Sequence, residues 1–283
     1  MKTSITPRNN DFRRRPAVSG EPRDGALRPS ANRAQSQKSR RLLAAAFWLL
    51  LWQLAAMSVG QPILLASPVS TLARLVELIP TAEFWRAALF TLGHILAGYA
   101  LAVAAGILLA ALARRFGAVA DLLDPLLAAM QSVPVASFVI AALIWVPSRR
   151  LSILICFLIV LPLVYAGALD GLRQIDPKLT EMARVFRMSR LNRLRTVDLP
   201  AAMPSLCSAL SVSIGLAWKS GVAAEVIGIP MGSIGEKLYK AKIYLATPDL
   251  FAWTVAIVLL SAGCAKLLRL GLKWAQRALE AGS

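Results

Sequence analysis

Six long apolar runs, separated by polar or proline-bearing breaks, set the pattern of the chain. They cover residues 42–59, 84–113, 126–146, 151–169, 206–227 and 250–270. Each comes close to or exceeds the ~20 residues that carry an α-helix across ~30 Å of hydrocarbon. A lipid interior offers an isolated segment no backbone partner outside its own helix. The pattern therefore predicts an all-α, polytopic membrane protein with six transmembrane helices. The run at 84–113 is longer than a span needs and is expected to tilt or project. Within it Gly98, Ala102, Gly106 and Ala110 recur at steps of four, the spacing of small residues that lets two helix backbones approach closely. In the third run, Gln131, Ser132 and Pro134 predict a kink, or a helix start at the rim.

The stretch 171–204 breaks the pattern most sharply. It holds seven Lys or Arg and three acidic residues, whereas 151–169 before it and 206–215 after it hold no charge. Such an insert belongs outside hydrocarbon. Its apolar Leu179, Met182, Ala183 and Phe186 nevertheless follow the i, i+3, i+4, i+7 spacing of an amphipathic helix, which suits a surface that docks onto another protein. Asp176 before Pro177 is a good helix start, the carboxylate capping free amides and the proline taking the first helical position. Ser189 is expected to cap a second short helix through about Val197, with Pro200 and Pro204 restarting the chain toward the fifth span. A connection that only links two spans is the plainer reading of the same stretch.

Composition changes the picture in one respect. Hydrophobic residues make up 57% of the chain and the mean hydropathy is +0.60, as a multi-pass protein requires. The net charge of +17 by itself would suit nucleic acid. Its distribution points elsewhere: eleven Lys or Arg precede Leu42, two are Arg114 and Arg115, seven lie in 171–204, and four follow from Lys266 onward. Alternating spans put all four places on one side, and the positive-inside rule makes that side cytoplasmic, with both termini there and no nucleic-acid role. Arg149 and Arg150 fall on the opposite side, against the rule but outnumbered. Residues 1–41, rich in Arg, Pro, Ser, Asn and Gln, are expected to form a disordered basic tail. Two roles are open to it: a solvated topological anchor, or weak attraction to anionic lipid at roughly 1 kcal/mol per basic residue. Residues 42–283 form the membrane domain.

Little ordinary catalytic chemistry is on offer. Cys156, Cys207 and Cys264 lie in or beside apolar runs without metal-site spacing, and His94 is the one histidine. No metal, cofactor or catalytic residue is expected, and the chain is not expected to be an enzyme. Gly215 to Ser220 lacks the glycine that a phosphate loop needs before its lysine, because Trp218 stands there. Lys219 and Glu225 do stand out, since ionisable groups in a span usually face a bundle interior or a water-filled path. Ser213, Ala217, Gly221 and Glu225 recur at steps of four and make either a path lining or a packing seam. Lys219 lines a path, has a structural or interfacial role, or lies beyond a span boundary drawn too far. His94, one turn before the small-residue ladder, is structural or touches substrate.

The spacing of Glu181 and Ala183 to Val197, Leu199 and Pro200 resembles the EAA motif of bacterial ATP-binding cassette importer permeases. The stretch from Ala217 to Thr254 is similar to the nitrate, sulfonate and taurine branch of that family. The resemblance covers about residues 84–270. It implies the type I permease fold in the bacterial inner membrane, a homodimer, two ATPase subunits on separate chains, and an extracytoplasmic substrate-binding protein, with lipid around the spans. It implies that the knob at 171–204 docks on an ATPase, Met182, Val185 and Phe186 as apolar anchors, with Glu181, Ala183, Arg184, Arg187 and Ser189 around them. The cargo would be a small anion of the sulfonate, taurine or nitrate kind, crossing near Lys219, Glu225, Ser213 and His94. Another nutrient such as a vitamin precursor, or a membrane sensor or scaffold, is the alternative. Two positions depart from the motif. Met182 replaces an alanine, and Arg187 stands where the motif has a glycine, so either the helix continues through Arg187 toward Ser189 or Arg187 carries a left-handed backbone.

Overall fold

The computed structural model of the chain describes residues 31–281, and every regular element among them is helical. The expected disordered tail lies outside the described residues through position 30, and the first helix, α1 (Ala31–Val59), begins at Ala31. The described residues divide into two compact units, one through Leu50 and one from Leu51 onward. In the first, α1 carries a run of exposed apolar side chains from Leu42 to Leu50, as a lipid-facing helix does.

The second unit continues through α2 (Pro68–Leu78), α3 (Ala82–Arg115), α4 (Gly117–Ser132), α5 (Val135–Ala142) and α6 (Ser148–Arg173). Then come α7 (Pro177–Val185), α8 (Arg190–Arg193), a π-helical turn (Leu194–Asp198), α9 (Leu199–Gly228), α10 (Ile234–Ile243) and α11 (Thr247–Ala281). Among the described residues, five helical segments are long and apolar enough to cross a membrane, and α4 with α5 forms a sixth candidate bent by 100°.

The core is built on α3, α6 and α9. The small-residue ladder of α3 is its seam: a Cβ at Gly98 would stand 2.5 Å from the Ile153 carbonyl oxygen, and one at Gly106 would stand 2.9 Å from Val164. Ala102 and Ala110 are fully buried between them. Because 98 meets 153 and 106 meets 164, α3 and α6 run parallel. α9 runs against both, since Ser205 donates to the Gly167 carbonyl at 3.0 Å and Cys156 to the Ala217 carbonyl at 3.2 Å. Tyr99 adds a bond from α3, its hydroxyl donating to the Leu210 carbonyl at 2.9 Å. In a bilayer each such bond satisfies a polar group that lipid could not.

Parallel α3 and α6 have a topological consequence. The chain leaves α3 at Arg115 and must be back at the opposite end before α6 begins at Ser148. The α4–α5 pair makes that return, so the bent pair is a broken span. The expected third span, 126–146, is corrected at its start, since helix already begins at Gly117 and runs through Pro125, while the expected kink falls at Val133 and Pro134. Pro134 supplies no amide and pushes Val133 to extended backbone, with ψ 131°, which ends α4.

At the end of the bundle away from α7, α2 and α10 pack on α11. Phe84 stacks on Trp253 at 5.2 Å, Arg74 pairs with Asp249, and Lys237 pairs with Glu83.

Candidate functional site

At the opposite end the charged stretch forms a knob. Asp176 accepts the Lys178 amide at 2.8 Å, and Pro177 takes the first position of α7. The helix stops at Val185 in a Schellman cap: the Arg187 amide donates to the Arg184 carbonyl and the Met188 amide to the Ala183 carbonyl, both at 3.0 Å. That cap needs a left-handed residue, and Arg187 supplies it at φ 48°. Of the two possibilities open to the sequence, the structure takes the strained one. An L side chain with a Cβ costs roughly 1–2 kcal/mol in this conformation, a cost glycine avoids. Arg187→Gly is therefore expected to raise stability by about 1 kcal/mol, read as a higher thermal midpoint of the detergent-solubilised chain; a lower midpoint would show that the arginine side chain contributes more than its backbone costs.

The apolar face expected from 179, 182, 183 and 186 is split by packing. Ala183 turns inward at 2% exposure, while Val185 and Phe186 stand 79% and 73% exposed and Met182 45%. Glu181, Arg184, Arg187 and Ser189 are exposed around them. Ser189 does accept the Asn192 amide, at 3.3 Å. The second helix does not end near Val197, however, and the prolines restart nothing: α8 passes through the π turn directly into α9. The Leu199 amide reaches back five residues to the Leu194 carbonyl, and this wider turn makes room for Pro200, which follows it and has no amide to donate. Arg193 closes on Asp198 at 3.5 Å. The knob is therefore joined to the fifth span without a break.

The row Ser213, Ala217, Gly221 and Glu225 proves to be a packing seam. All four are buried, and a Cβ at Gly221 would stand 2.7 Å from Ile95. Ser213 bonds to its own helix at the Leu210 carbonyl, 3.2 Å away. Glu225 accepts from Thr91 at 2.7 Å and from the Gly235 amide at 3.3 Å, and Thr91 in turn accepts the Ile234 amide at 3.0 Å. A buried carboxylate thus ties α9 to α3 and to the first turn of α10, where free amides favour negative charge. Glu225 and Ser213 are therefore both engaged in packing between helices of this chain. Lys219, two positions past Ala217, is exposed about 14 Å along the helix from Gly228. His94 is half-buried, its Nδ1 2.8 Å from the Phe90 carbonyl and its ring stacked on Phe90 at 4.1 Å. Arg149 lies 5.8 Å from the same Phe90 ring.

Sequence reasoning missed Thr91 and Gly235. Gly235 is the point of closest approach, where a Cβ would meet the Glu225 Cβ at 2.3 Å. The Ser-x-x-Glu spacing at 233 and 236 is a signal that could have marked the start of α10: Ser233 accepts the Glu236 amide at 2.9 Å, while Glu236 reaches one residue further back and accepts the Gly232 amide at 2.6 Å. Burial alone would raise the Glu236 carboxyl, but the Lys240 ammonium and the Gly232 amide hold it below the usual carboxylate range. Among the described residues no cluster of His, Cys, Asp and Glu is arranged to hold a metal.

Comparison with known proteins agrees with this architecture. Residues 102–281 match the family model described as binding-protein-dependent transport system inner membrane component. A protein of Bacillus subtilis (strain 168) provisionally named an aliphatic sulfonates transport permease is 28% identical over 229 residues, covering 80% of this chain and 83% of the relative. The taurine transport system permease protein of Escherichia coli (strain K12) is 28% identical over 81% of this chain and 83% of its own length. The bicarbonate transport system permease protein of Synechococcus elongatus is 30% identical over 56% and 57% respectively.

Proposed function

The chain belongs to the binding-protein-dependent transport system inner membrane components, the multi-pass permeases of ATP-binding cassette importers, and from that premise we propose that it forms the path for a small anion. Cargo of this kind is named for relatives that act on sulfonates, taurine and bicarbonate. The observation that carries the reading is Lys219, a cation exposed on the middle of the fifth span. An ionisable group there is expensive unless it meets water, a partner or a passing counter-charge, and a cationic wall raises the local concentration of anions.

The chain works as one half of a homodimer, with the knob and both termini in the cytoplasm. Two ATPase subunits dock on the two knobs, through Val185 and Phe186 with Met182 beside them. The α10 end faces outward to a substrate-binding protein that delivers cargo and sets most of the selectivity. ATPase closure draws the knobs together, and the continuous α8–α9 helix carries that motion into the path, opening it alternately to either side.

Uptake of radiolabelled taurine, nitrate and bicarbonate by the assembled importer tests this. Lys219→Gln is expected to lower the rate for the transported anion by roughly tenfold or more, with unchanged membrane abundance, while Lys219→Arg keeps most of it. Unchanged kinetics in Lys219→Gln would remove the lysine from the path.

A further inference from the structure

At the knob end, α9 and α11 border an open pocket of about 320 Å³ whose lining includes Ser208, Ser211, Arg269, Lys273 and Gln276 among apolar residues. We propose that this pocket is an oxyanion-binding site, taking a phosphate, sulfonate or similar group at the boundary between hydrocarbon and water.

Depth is the first argument. Asp249, paired with Arg74 at the far end of the bundle, lies twenty residues before Arg269, which at 1.5 Å per residue places Arg269 about 30 Å away, one hydrocarbon thickness. On α9, Ser208 lies twenty residues before Gly228, again about 30 Å. The two helices therefore bring their polar side chains to the same level, where headgroups sit. Trp274, 75% exposed beside Lys273, fits the aromatic belt found at that level.

Chemistry is the second. Lys266, Arg269, Lys273 and Arg277 fall within about 80° of one another around α11 at 100° per residue, but of these only Arg269 and Lys273 line the pocket. The salt bridges among the described residues use Arg74, Arg193, Lys237 and Lys240 as cations, not these two. Arg269 spends its Nε on the Ala265 carbonyl at 3.0 Å, which fixes the guanidinium and leaves its terminal nitrogens to bind. Ser211 donates to the Cys207 carbonyl at 2.7 Å, which leaves its oxygen as a neighbour and Ser208 as the hydroxyl donor. Two cations with a hydroxyl and an amide are the donor set that an oxyanion takes.

Two sources present that group. One is the phosphate of an anionic phospholipid, for which basic pockets between spans are suited. The other is an anion in the path: Ser208 lies about 20° around α9 from Lys219 and roughly 17 Å along it, so both occupy one face. The second source rests on the transport reading, whereas binding itself does not.

The full chain, purified in a neutral detergent, separates these by thermal midpoint with added phosphatidylglycerol, phosphatidylcholine or sulfate. A midpoint rise with phosphatidylglycerol and not phosphatidylcholine identifies a lipid headgroup; a rise with sulfate identifies a free oxyanion; either supports the site. The Arg269→Gln/Lys273→Gln variant is expected to lose the rise, and Lys266→Gln/Arg277→Gln, with the same change of charge on the same stripe, is expected to keep it. Ser208→Ala, which keeps every charge, is expected to weaken the response about tenfold in ligand concentration. No response to either oxyanion, or equal loss in both charge variants, overturns the proposal. A transport failure in Lys219→Gln leaves this binding measurement unchanged, so the two readings fail separately.

Discussion

Val185→Asp together with Phe186→Ser is expected to abolish association with the ATPase subunits while leaving the permease folded. The two side chains are 79% and 73% exposed, so the fold gains little from them. Burying each in a partner's groove is worth about 1.5–3 kcal/mol, together roughly 3–6 kcal/mol, or about two to four decades of affinity. An added carboxylate in an apolar groove deepens the loss. Co-purification with the ATPase subunits and transport-coupled ATP hydrolysis measure the first effect, and the thermal midpoint of the isolated permease measures the second. If association persists at wild-type strength, the knob does not dock through this pair. A lower midpoint accompanying the loss would place the effect in folding, and Val185→Ala alone, which trims the same surface without a charge, then decides between the two.

Gly98→Leu is expected to unfold the membrane domain or to prevent its assembly. Even a Cβ at this position would stand 2.5 Å from the Ile153 carbonyl oxygen and 2.8 Å from the Cys156 Cβ. The first of these is backbone, so α6 as a whole has to move away from α3. Overpacking of a close seam typically costs 1–3 kcal/mol, and leucine adds three carbons beyond the Cβ, so the loss is expected to be about 3 kcal/mol or more. The Cys156 bond to the Ala217 carbonyl, which crosses to α9 from the same spot, would go with it. Gly93→Leu makes the control, because a Cβ at Gly93 has nothing within 4 Å. Equal midpoints for the two variants would show that α3 and α6 are not held by this seam.

The contrast between Gly98 and Gly93 shows where sequence reading succeeds. The ladder at 98, 102, 106 and 110 was legible because close helix packing imposes a period, and a period is visible in one dimension. The capped start at Asp176 and Pro177 was legible for a similar reason, since a helix terminus is satisfied by its immediate neighbours. The row at 213, 217, 221 and 225 has the same spacing, yet period alone left two readings of it. What decided between them was Thr91, more than a hundred residues away, which meets Glu225 only once α3 and α9 are packed. The family resemblance named Val185 and Phe186, but helical spacing alone joined Phe186 to Ala183, which packing turns inward at 2% exposure while Val185 and Phe186 stay exposed.

By itself, then, the amino-acid sequence determined that this is a polytopic helical membrane protein, where most of its spans lie, and that a charged amphipathic knob stands between the fourth and fifth. These follow from transfer free energy and local capping, which depend on residues close together in the chain. Tertiary structure alone decided that α3 and α6 run parallel, and hence that the third span, whose kink near Pro134 was legible, crosses as the bent α4–α5 pair. It also decided that Arg187 carries a left-handed backbone, that Glu225 is locked against α10 while Lys219 stays exposed, and that α9 and α11 share a basic pocket. Each of those depends on which distant side chains share one volume, and close packing settles that only when the whole bundle is assembled.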